Sequence, residues 1–287
     1  MFVMNIVSER TSLEILHSPA RGRPRNIDIL LVHGIFVGAW VWEEYVMPYL
    51  AEAGYNVHAV SLRGHGKSPG AERIETLTLA DYSNDLMQAA AAVGRPVVAV
   101  GHSMGGAVVQ DAILRGARFS GAALMASVPP GGLLHANFAM MWSRPRLWRE
   151  LSLMFSAGLA ASDMDVLRDG LFSNRVDADR FAAFSARGGN ESALVGFELQ
   201  GMRPFAPPPW QTPPMLVMGG SEDRIIRRED LWATAAWYGV EAHILPGLSH
   251  TVMLDPGWRL ACDCLLKWME RRGDMESESP GMPAPSP

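Results

Sequence analysis

Short apolar runs alternate along this chain with longer stretches in which apolar residues recur every three or four positions. Buried strands are predicted at 27–33, 57–61, 96–101 and 122–126. Helices are predicted among them at 41–54, 78–93 and 104–114. Strands that are apolar at nearly every position are typical of a parallel sheet buried on both faces. The pattern therefore predicts an α/β fold with helices on both faces of a mostly parallel sheet.

The same alternation returns towards the C-terminus. Strands are predicted at 215–219 and 241–245, and helices at 228–238 and 257–271. Near the N-terminus, 4–7 and 12–17 are expected to pair as an antiparallel hairpin at one edge, which brings the predicted sheet to eight strands. The final segment, 273–287, contains four prolines and three acidic residues, and we expect it to be disordered.

Between about 128 and 210 the rhythm breaks, because helical patterns continue there without a convincing buried strand. Seven of the ten phenylalanines fall in this interval. A Pro-Pro-Gly-Gly segment at 129–132 opens it, and four prolines between 204 and 209 close it. We interpret 129–208 as a helical cap inserted into a core formed by 1–128 and 209–272. The phenylalanines form either the core of this cap or the wall of an apolar pocket.

The composition excludes several classes of protein. With 48% hydrophobic residues, 19% charged residues and a formal charge of −5, the chain is expected neither to be disordered nor to bind nucleic acid through a basic stripe. No apolar run reaches the roughly 18 residues of a membrane span, and residues 1–26 lack the pattern of a signal peptide. We expect a cytoplasmic protein without a membrane span. Cys262 and Cys264 lie two positions apart on a predicted helix and are expected to form neither a disulfide nor a metal site.

A serine stands between a predicted strand and a predicted helix in the segment Gly-His-Ser-Met-Gly-Gly, 101–106. This is the G-x-S-x-G pattern, in which a sharp turn lifts the hydroxyl of Ser103 above the sheet. The flanking glycines are needed because a Cβ there would meet the neighbouring strand or helix. The start of the helix also places free N–H groups beside the serine. The alternative is that Ser103 only caps the helix.

Four blocks in this order resemble the α/β-hydrolase family over about 27–272. They are 31–40, which contains a His-Gly pair, 62–68, the turn at 101–106, and the pair 219–223 and 247–250. The family often has Asp before the second block, where Ser61 stands in this chain. The resemblance implies an eight-stranded α/β-hydrolase sheet with an inserted cap. It also implies a serine nucleophile that needs neither a metal nor an organic cofactor.

A serine hydroxyl needs a base to become a nucleophile, and the base needs an orienting carboxylate. The family order of serine, acid and histidine implies His250 as the base, because it follows a predicted strand whereas His243 lies inside that strand. Glu222 and Asp223 are both candidates for the acid, since both follow the strand at 215–219. The resemblance places Asp223 in register.

Two backbone N–H groups are needed where negative charge develops on the substrate oxygen. The resemblance implies Met104, next to the nucleophile, and Ile35, in the loop after the His-Gly pair, with Phe36 as the alternative to Ile35. The remaining histidines near these blocks are expected to be structural: His33, His65 and His102.

These features predict a carboxylic-ester hydrolase that acts on a small-to-medium apolar ester through an acyl-enzyme. The side chains expected to line its acyl pocket are Phe36, Phe138, Trp142 and Phe155. Cofactor-free haloperoxidases or perhydrolases, lactonases and thioesterases share the same triad and are alternatives. A non-catalytic protein of this fold that binds a small molecule is the alternative from another class. The sequence does not indicate an oligomeric state.

Overall fold

The computed structural model describes residues 4–6, 12–158 and 161–278, and its strands form one sheet. The strands are β1 (Met4–Ile6), β2 (Ile15–Ser18), β3 (Asp28–Val32), β4 (Val57–Val60), β5 (Val97–His102), β6 (Gly121–Met125), β7 (Met215–Gly220) and β8 (Ala242–Leu245). Within the described residues these eight strands lie in the order β1-β2-β4-β3-β5-β6-β7-β8. Strand β2 is antiparallel to β1 and to β4, and the other pairs are parallel.

Helices cover both faces of the sheet. They are α1 (Val46–Glu52), α2 (Leu79–Val93), α3 (Met104–Leu114), α4 (Leu134–Ser143), α5 (Pro145–Ala157), α6 (Met164–Leu171), α7 (Ala178–Ala186), α8 (Ala193–Phe197), α9 (Arg228–Tyr238) and α10 (Arg259–Glu278). On one face Leu50 of α1 and Leu265 of α10 belong to one apolar cluster. On the other face Leu86 of α2, Val108 of α3 and Leu231 of α9 belong to a second cluster. The predicted mostly parallel sheet with helices on both faces is confirmed.

Two predicted helices differ from the observed ones. The stretch 41–54 is divided into a 3₁₀ turn, Ala39–Trp42, and α1, because Pro48 is tolerated only in the first turn of a helix. Helix α10 continues to Glu278, seven residues beyond the predicted helix end at 271. Gly273 costs a helix only about 1 kcal/mol, and the next proline is Pro280. The rest of the predicted tail, 279–287, lies outside the described residues.

Helices α4 to α8 and a π-helical turn, Glu198–Met202, lie between β6 and β7, and we call residues 134–202 the helical insertion. Side chains cap the starts of three of these helices: Asp163 for α6, Asp177 for α7 and Ser192 for α8. Aromatic packing joins the helices, since the ring of Phe172 lies 5.5 Å from Phe181 and 5.1 Å from Phe184. Phe172 and Phe181 also belong to the apolar cluster that contains α1 and α10, so the insertion packs onto the core of the sheet.

In the described part of the chain, no helix is both long enough and apolar enough to cross a membrane. No group of three or more His, Cys, Asp or Glu side chains in those residues is arranged to hold a metal ion. Cys262 and Cys264 are free thiols.

Candidate active site

Ser103 occupies the sharp turn between β5 and α3. Its backbone has φ 53° and ψ −117°, an unfavourable conformation for a residue that carries a Cβ. The turn also requires close approach of neighbouring segments. A Cβ on Gly101 would lie 2.3 Å from the carbonyl oxygen of Gly105, and one on Gly105 would lie 2.5 Å from that of Val32. Both positions of the motif therefore need glycine.

The structure brings Ser103, His250 and Asp223 together. His250 Nε2 lies 3.1 Å from Ser103 Oγ, and His250 Nδ1 lies 2.9 Å from Asp223 Oδ2. The second carboxylate oxygen, Oδ1, accepts the N–H groups of Ile225 and Ile226 at 2.8 and 2.9 Å. Since a carboxylate only accepts, Nδ1 carries the proton, and the lone pair of Nε2 faces the serine hydroxyl. This is the arrangement in which a histidine can remove a proton from serine.

Glu222 and His243 take no part in these hydrogen bonds. Glu222 is exposed, whereas the carboxylate of Asp223 is fully buried. His243 is in the edge strand β8, as the sequence predicts.

Two further histidines hydrogen-bond to backbone groups around the site. His102 Nε2 lies 2.9 Å from the carbonyl oxygen of His250, and burial, together with the neighbouring His250, lowers the pKa of His102 to about 3. His33 accepts the N–H of Leu62 at Nε2, at 3.0 Å, and donates from Nδ1 to the Gly34 carbonyl at 2.7 Å. Burial lowers the pKa of His33 well below its usual value. Both rings are neutral, and each connects two separate segments of the backbone through its hydrogen bonds.

The helical insertion holds the loop that carries His250. The N–H of Thr251 donates to the carbonyl oxygen of Leu171 at 3.1 Å. Arg175 forms an ion pair of 3.1 Å with Asp255, whose side chain is fully buried. The position of His250 therefore depends on contacts with the insertion as well as on the sheet.

Two backbone N–H groups are available beside Ser103. That of Met104 is the first of α3, and N–H groups in the first turn of a helix have no acceptor within it. In the described part of the chain, the N–H of Ile35 likewise donates to no protein group. The loop of Ile35 passes close to the serine, since a Cβ on Gly34 would lie 3.3 Å from Ser103 Cβ.

Phe36, the alternative to Ile35, has an N–H that is already engaged. It donates to Oε2 of Glu191, in the insertion, at 3.3 Å. The hydrogen bonds therefore favour Ile35 over Phe36 as the second donor.

An apolar cavity of about 480 Å³ lies between Ser103 and the helical insertion. Phe36 and Phe155 both line it, with their ring centroids 5.2 Å apart. The insertion also contributes apolar side chains to the wall, among them Met140, Leu151, Met164, Leu167, Leu171 and Phe181. A concave, mostly apolar site of this size is suited to a small-molecule ligand.

Phe138 and Trp142 do not line this cavity, which corrects their prediction as pocket residues. They are 56% and 82% exposed, respectively. Both lie on α4, where Ala136 and Met140 form the buried face, and residues two positions apart on a helix point in nearly opposite directions. The helical phase, rather than the aromatic character of the side chain, decides which residues of α4 reach the cavity. The spacing of Ala136 and Met140 was the signal that could have identified Met140.

A mostly parallel sheet, a serine at the turn after a central strand, and an acid and a histidine in later loops define the class of α/β hydrolases. The model of the alpha/beta hydrolase family matches residues 29–259, and the chain belongs to this family.

Two curated relatives differ in how much of the chain they match. A monoacylglycerol lipase of Mycolicibacterium smegmatis is 28% identical over 258 residues, which cover 86% of this chain and 88% of the lipase. Polyneuridine aldehyde esterase of Rauvolfia serpentina is 38% identical over 94 residues, which cover 32% of this chain and only 34% of the esterase. The higher identity is therefore confined to about a third of either protein.

Solved structures share the fold at low sequence identity. A bromoperoxidase from Bacillus anthracis superposes with a TM-score of 0.71 at 22% identity, over 90% of this chain and 96% of the bromoperoxidase. This likeness concerns the fold alone.

Proposed function

We propose that this protein is a serine hydrolase that cleaves carboxylic esters with small-to-medium apolar acyl groups. The observation that carries the proposal is the hydrogen-bonded chain from Asp223 through His250 to a serine hydroxyl that faces an apolar cavity of about 480 Å³. The names of the relatives, an esterase and a lipase, support the same reaction class.

In the proposed mechanism, Ser103 attacks the acyl carbon while His250 Nε2 accepts the hydroxyl proton. Asp223 holds the Nδ1 proton and stabilises the imidazolium that forms. His250 then gives its proton to the leaving alcohol, which leaves an acyl-enzyme on Ser103 Oγ. A water molecule, deprotonated by His250, attacks the acyl carbon. The bond between this carbon and Ser103 Oγ then breaks, and His250 returns the proton to Oγ as the carboxylic acid leaves.

The N–H groups of Ile35 and Met104 are assigned to the oxyanion of the tetrahedral intermediate. Their placement beside Ser103 and their lack of other acceptors support this role. Preorganised donors of this kind stabilise the transition state because the charge they face is larger there than in the bound ester.

We assign 129–208 the role of a cap that shapes the acyl pocket. The triad lies on loops of the sheet, whereas most of the apolar side chains around the cavity come from the helical insertion. A wall without charged side chains favours an uncharged acyl chain over a polar one. Phe36 and Phe155, which pack edge to face, are placed beside the acyl group.

The experiment that tests this function is a panel of esters with increasing acyl chain length, given to the wild type and to Ser103→Ala. We expect hydrolysis by the wild type and a loss of at least about 10⁴-fold in kcat for the variant. Ser143→Ala, at an exposed serine of α4, is the matched control and is expected to keep full activity. Equal turnover by Ser103→Ala would contradict the role of Ser103, and a wild type inactive on every ester would contradict the function.

A further inference from the structure

One carboxylate of the helical insertion is buried against the core and has no part in the triad. The side chain of Glu191 is fully buried and accepts four hydrogen bonds. Oε1 accepts from the Tyr82 hydroxyl at 2.7 Å and from the N–H of Ser192 at 2.8 Å. Oε2 accepts from the N–H of Phe36 at 3.3 Å and from His65 Nε2 at 3.1 Å. Glu191 thus ties the insertion to three separate segments of the core.

His65 supplies the charge that balances this carboxylate. Its Nδ1 lies 3.1 Å from the carbonyl oxygen of Arg63, and its Nε2 faces Glu191. Neither acceptor has a proton to give, so both ring nitrogens donate and the ring is an imidazolium. Burial opposes that charge, but attraction to Glu191 and the hydrogen bond to it raise the pKa of His65 above its usual value. The result is a buried ion pair between insertion and core.

The same segment of the insertion holds Phe36 by both of its main-chain groups. The N–H of Phe36 donates to Glu191, and its carbonyl oxygen accepts the N–H of Gly189 at 2.8 Å. Phe36 has φ 62°, a conformation that a residue with a Cβ keeps only where its surroundings enforce it. These two hydrogen bonds fix the peptide group between Ile35 and Phe36. The N–H of Ile35 belongs to the preceding peptide group of the same loop.

We propose that Glu191 is a positioning residue for catalysis, which fixes the loop 34–36 so that the Ile35 N–H faces the oxyanion. This inference rests on the proposed ester hydrolysis and extends it, because it makes the catalytic loop depend on the docking of the helical insertion. Loss of Glu191 is therefore expected to weaken binding of the transition state more than binding of the substrate.

The variant Glu191→Gln tests this directly. A glutamine has nearly the same shape, but one of its two terminal atoms is an NH₂ group, and all four partners of Glu191 are donors. One of the two oxygen positions is therefore lost, and in either orientation of the amide the negative charge that pairs with His65 is lost as well, so the hold of residue 191 on Phe36 is weakened. We expect kcat to fall by about 10- to 100-fold, with KM changed by less than about 3-fold, as for partial loss of an oxyanion donor.

A second readout separates positioning from general damage. Binding of a trifluoromethyl ketone, which forms a tetrahedral adduct with serine, is expected to weaken in parallel with kcat. Binding of the matching amide, which stays trigonal, is expected to be unchanged. Equal losses for the ketone and the amide would overturn the proposal, as would an unchanged kcat.

Glu150→Gln is the matched control. Glu150 is also a buried glutamate of the insertion, but it accepts the N–H of Asp163 at 2.8 Å and pairs with Arg149. Its partners lie within the insertion, so we expect its replacement to leave kcat and ketone affinity within about 2-fold of the wild type. A loss in Glu150→Gln equal to that in Glu191→Gln would contradict a specific role for Glu191.

Tyr82→Phe serves if Glu191→Gln does not fold. It removes one of the two donors to Oε1, so the carboxylate that binds Phe36 through Oε2 is less firmly fixed. We expect a few-fold loss in kcat with KM unchanged, and a kcat equal to that of the wild type would count against the proposal.

Failure of the positioning role of Glu191 is distinguishable from failure of the proposed ester hydrolysis. If the wild type hydrolyses esters and Ser103→Ala does not, the function stands and the Glu191 variant bears on positioning alone. If the wild type hydrolyses none, the rate at which a fluorophosphonate labels Ser103 still reports the loop, since that reaction also develops an oxyanion. Slower labelling of Glu191→Gln than of Glu150→Gln would support the proposal, and equal rates would contradict it.

Discussion

The carboxyl edge of the sheet and the helical insertion contribute to the site in different ways. At the sheet edge, one strained turn and close glycine contacts hold Ser103, and hydrogen bonds of 2.9 to 3.1 Å connect it with His250 and Asp223. The insertion contributes mainly apolar side chains, which surround a cavity of about 480 Å³. The sheet edge demands particular residues at particular positions, whereas the insertion demands volume and shape. We therefore attribute the chemistry to the first region and selectivity to the second.

Glu191 is an exception to this division. It belongs to the insertion, yet its hydrogen bonds reach the loop of Ile35 and Phe36 at the sheet edge. The contacts of Arg175 and Leu171 with the loop of His250 link the two regions on the other side of the site. The loop of Ile35 and the loop of His250 thus both contact the insertion.

The largest expected effect concerns the sheet edge. Replacing Asp223 by Asn leaves a neutral group that no longer holds His250 in the required tautomer, and we expect kcat to fall about 10⁴-fold. The loss is expected to be equal for short and long acyl chains, because the pocket is unchanged. Steady-state kinetics on the ester panel measures it, with Glu222→Gln at the exposed neighbouring carboxylate as the control. A severe loss of kcat in Glu222→Gln rather than in Asp223→Asn would show that Asp223 is not the acid.

A smaller and more selective effect is expected in the insertion. Phe155→Ala enlarges the cavity, so we expect kcat/KM for long acyl esters to rise relative to short ones by about 10- to 30-fold. Phe138→Ala removes the same side chain from the exposed face of α4 and should leave the ratio unchanged. Chain-length profiles of the two variants test whether selectivity resides in the cavity wall. A change in the chain-length profile of Phe138→Ala that matches the one in Phe155→Ala would show that selectivity does not reside in the cavity wall.

The smallest expected effect is on the pH dependence of folding stability. The pKa of His102 is about 3 in the folded protein, so this ring stays neutral where an exposed histidine, with a pKa of about 6.5, takes up a proton. Because the unfolded chain binds more protons below that pKa, His102 lowers folding stability as the pH falls from about 6.5 towards 3. We expect a contribution of about 1 kcal/mol between pH 6 and pH 5.

Urea unfolding at both pH values measures this contribution. His102→Gln should reduce the pH dependence of the free energy of unfolding, whereas His135→Gln, at an exposed histidine of α4, should not. The same pH dependence in His102→Gln as in the wild type would show that the ring is not buried as described.

Local patterns in the sequence were sufficient to predict most of the core. The segment around Ser103 is recognisable because a strand, a strained turn and a helix follow each other within a few residues. The apolar strands are recognisable because burial on both faces leaves few polar positions. The break at Pro48 and the continuation of α10 to Glu278 were missed, because they depend on how a single proline or glycine is accommodated.

Features that depend on contacts distant in the sequence were missed. Glu191 is 155 residues from Phe36 and 109 from Tyr82, and nothing in its local sequence sets it apart from a surface glutamate. Phe138 and Phe155 have the same side chain in neighbouring helices, yet Phe138 is exposed and Phe155 lines the cavity, because each helix packs with a different face towards the core.

The central claim is that His250 makes Ser103 a nucleophile, and covalent labelling tests it most directly. The wild type and His250→Ala are each treated with a fluorophosphonate, and the adduct is located and timed by mass spectrometry of the peptides. We predict a single adduct on Ser103 in the folded wild type and a labelling rate at least about 10³-fold lower in His250→Ala. No adduct on Ser103, or the same rate in both proteins, would contradict the account.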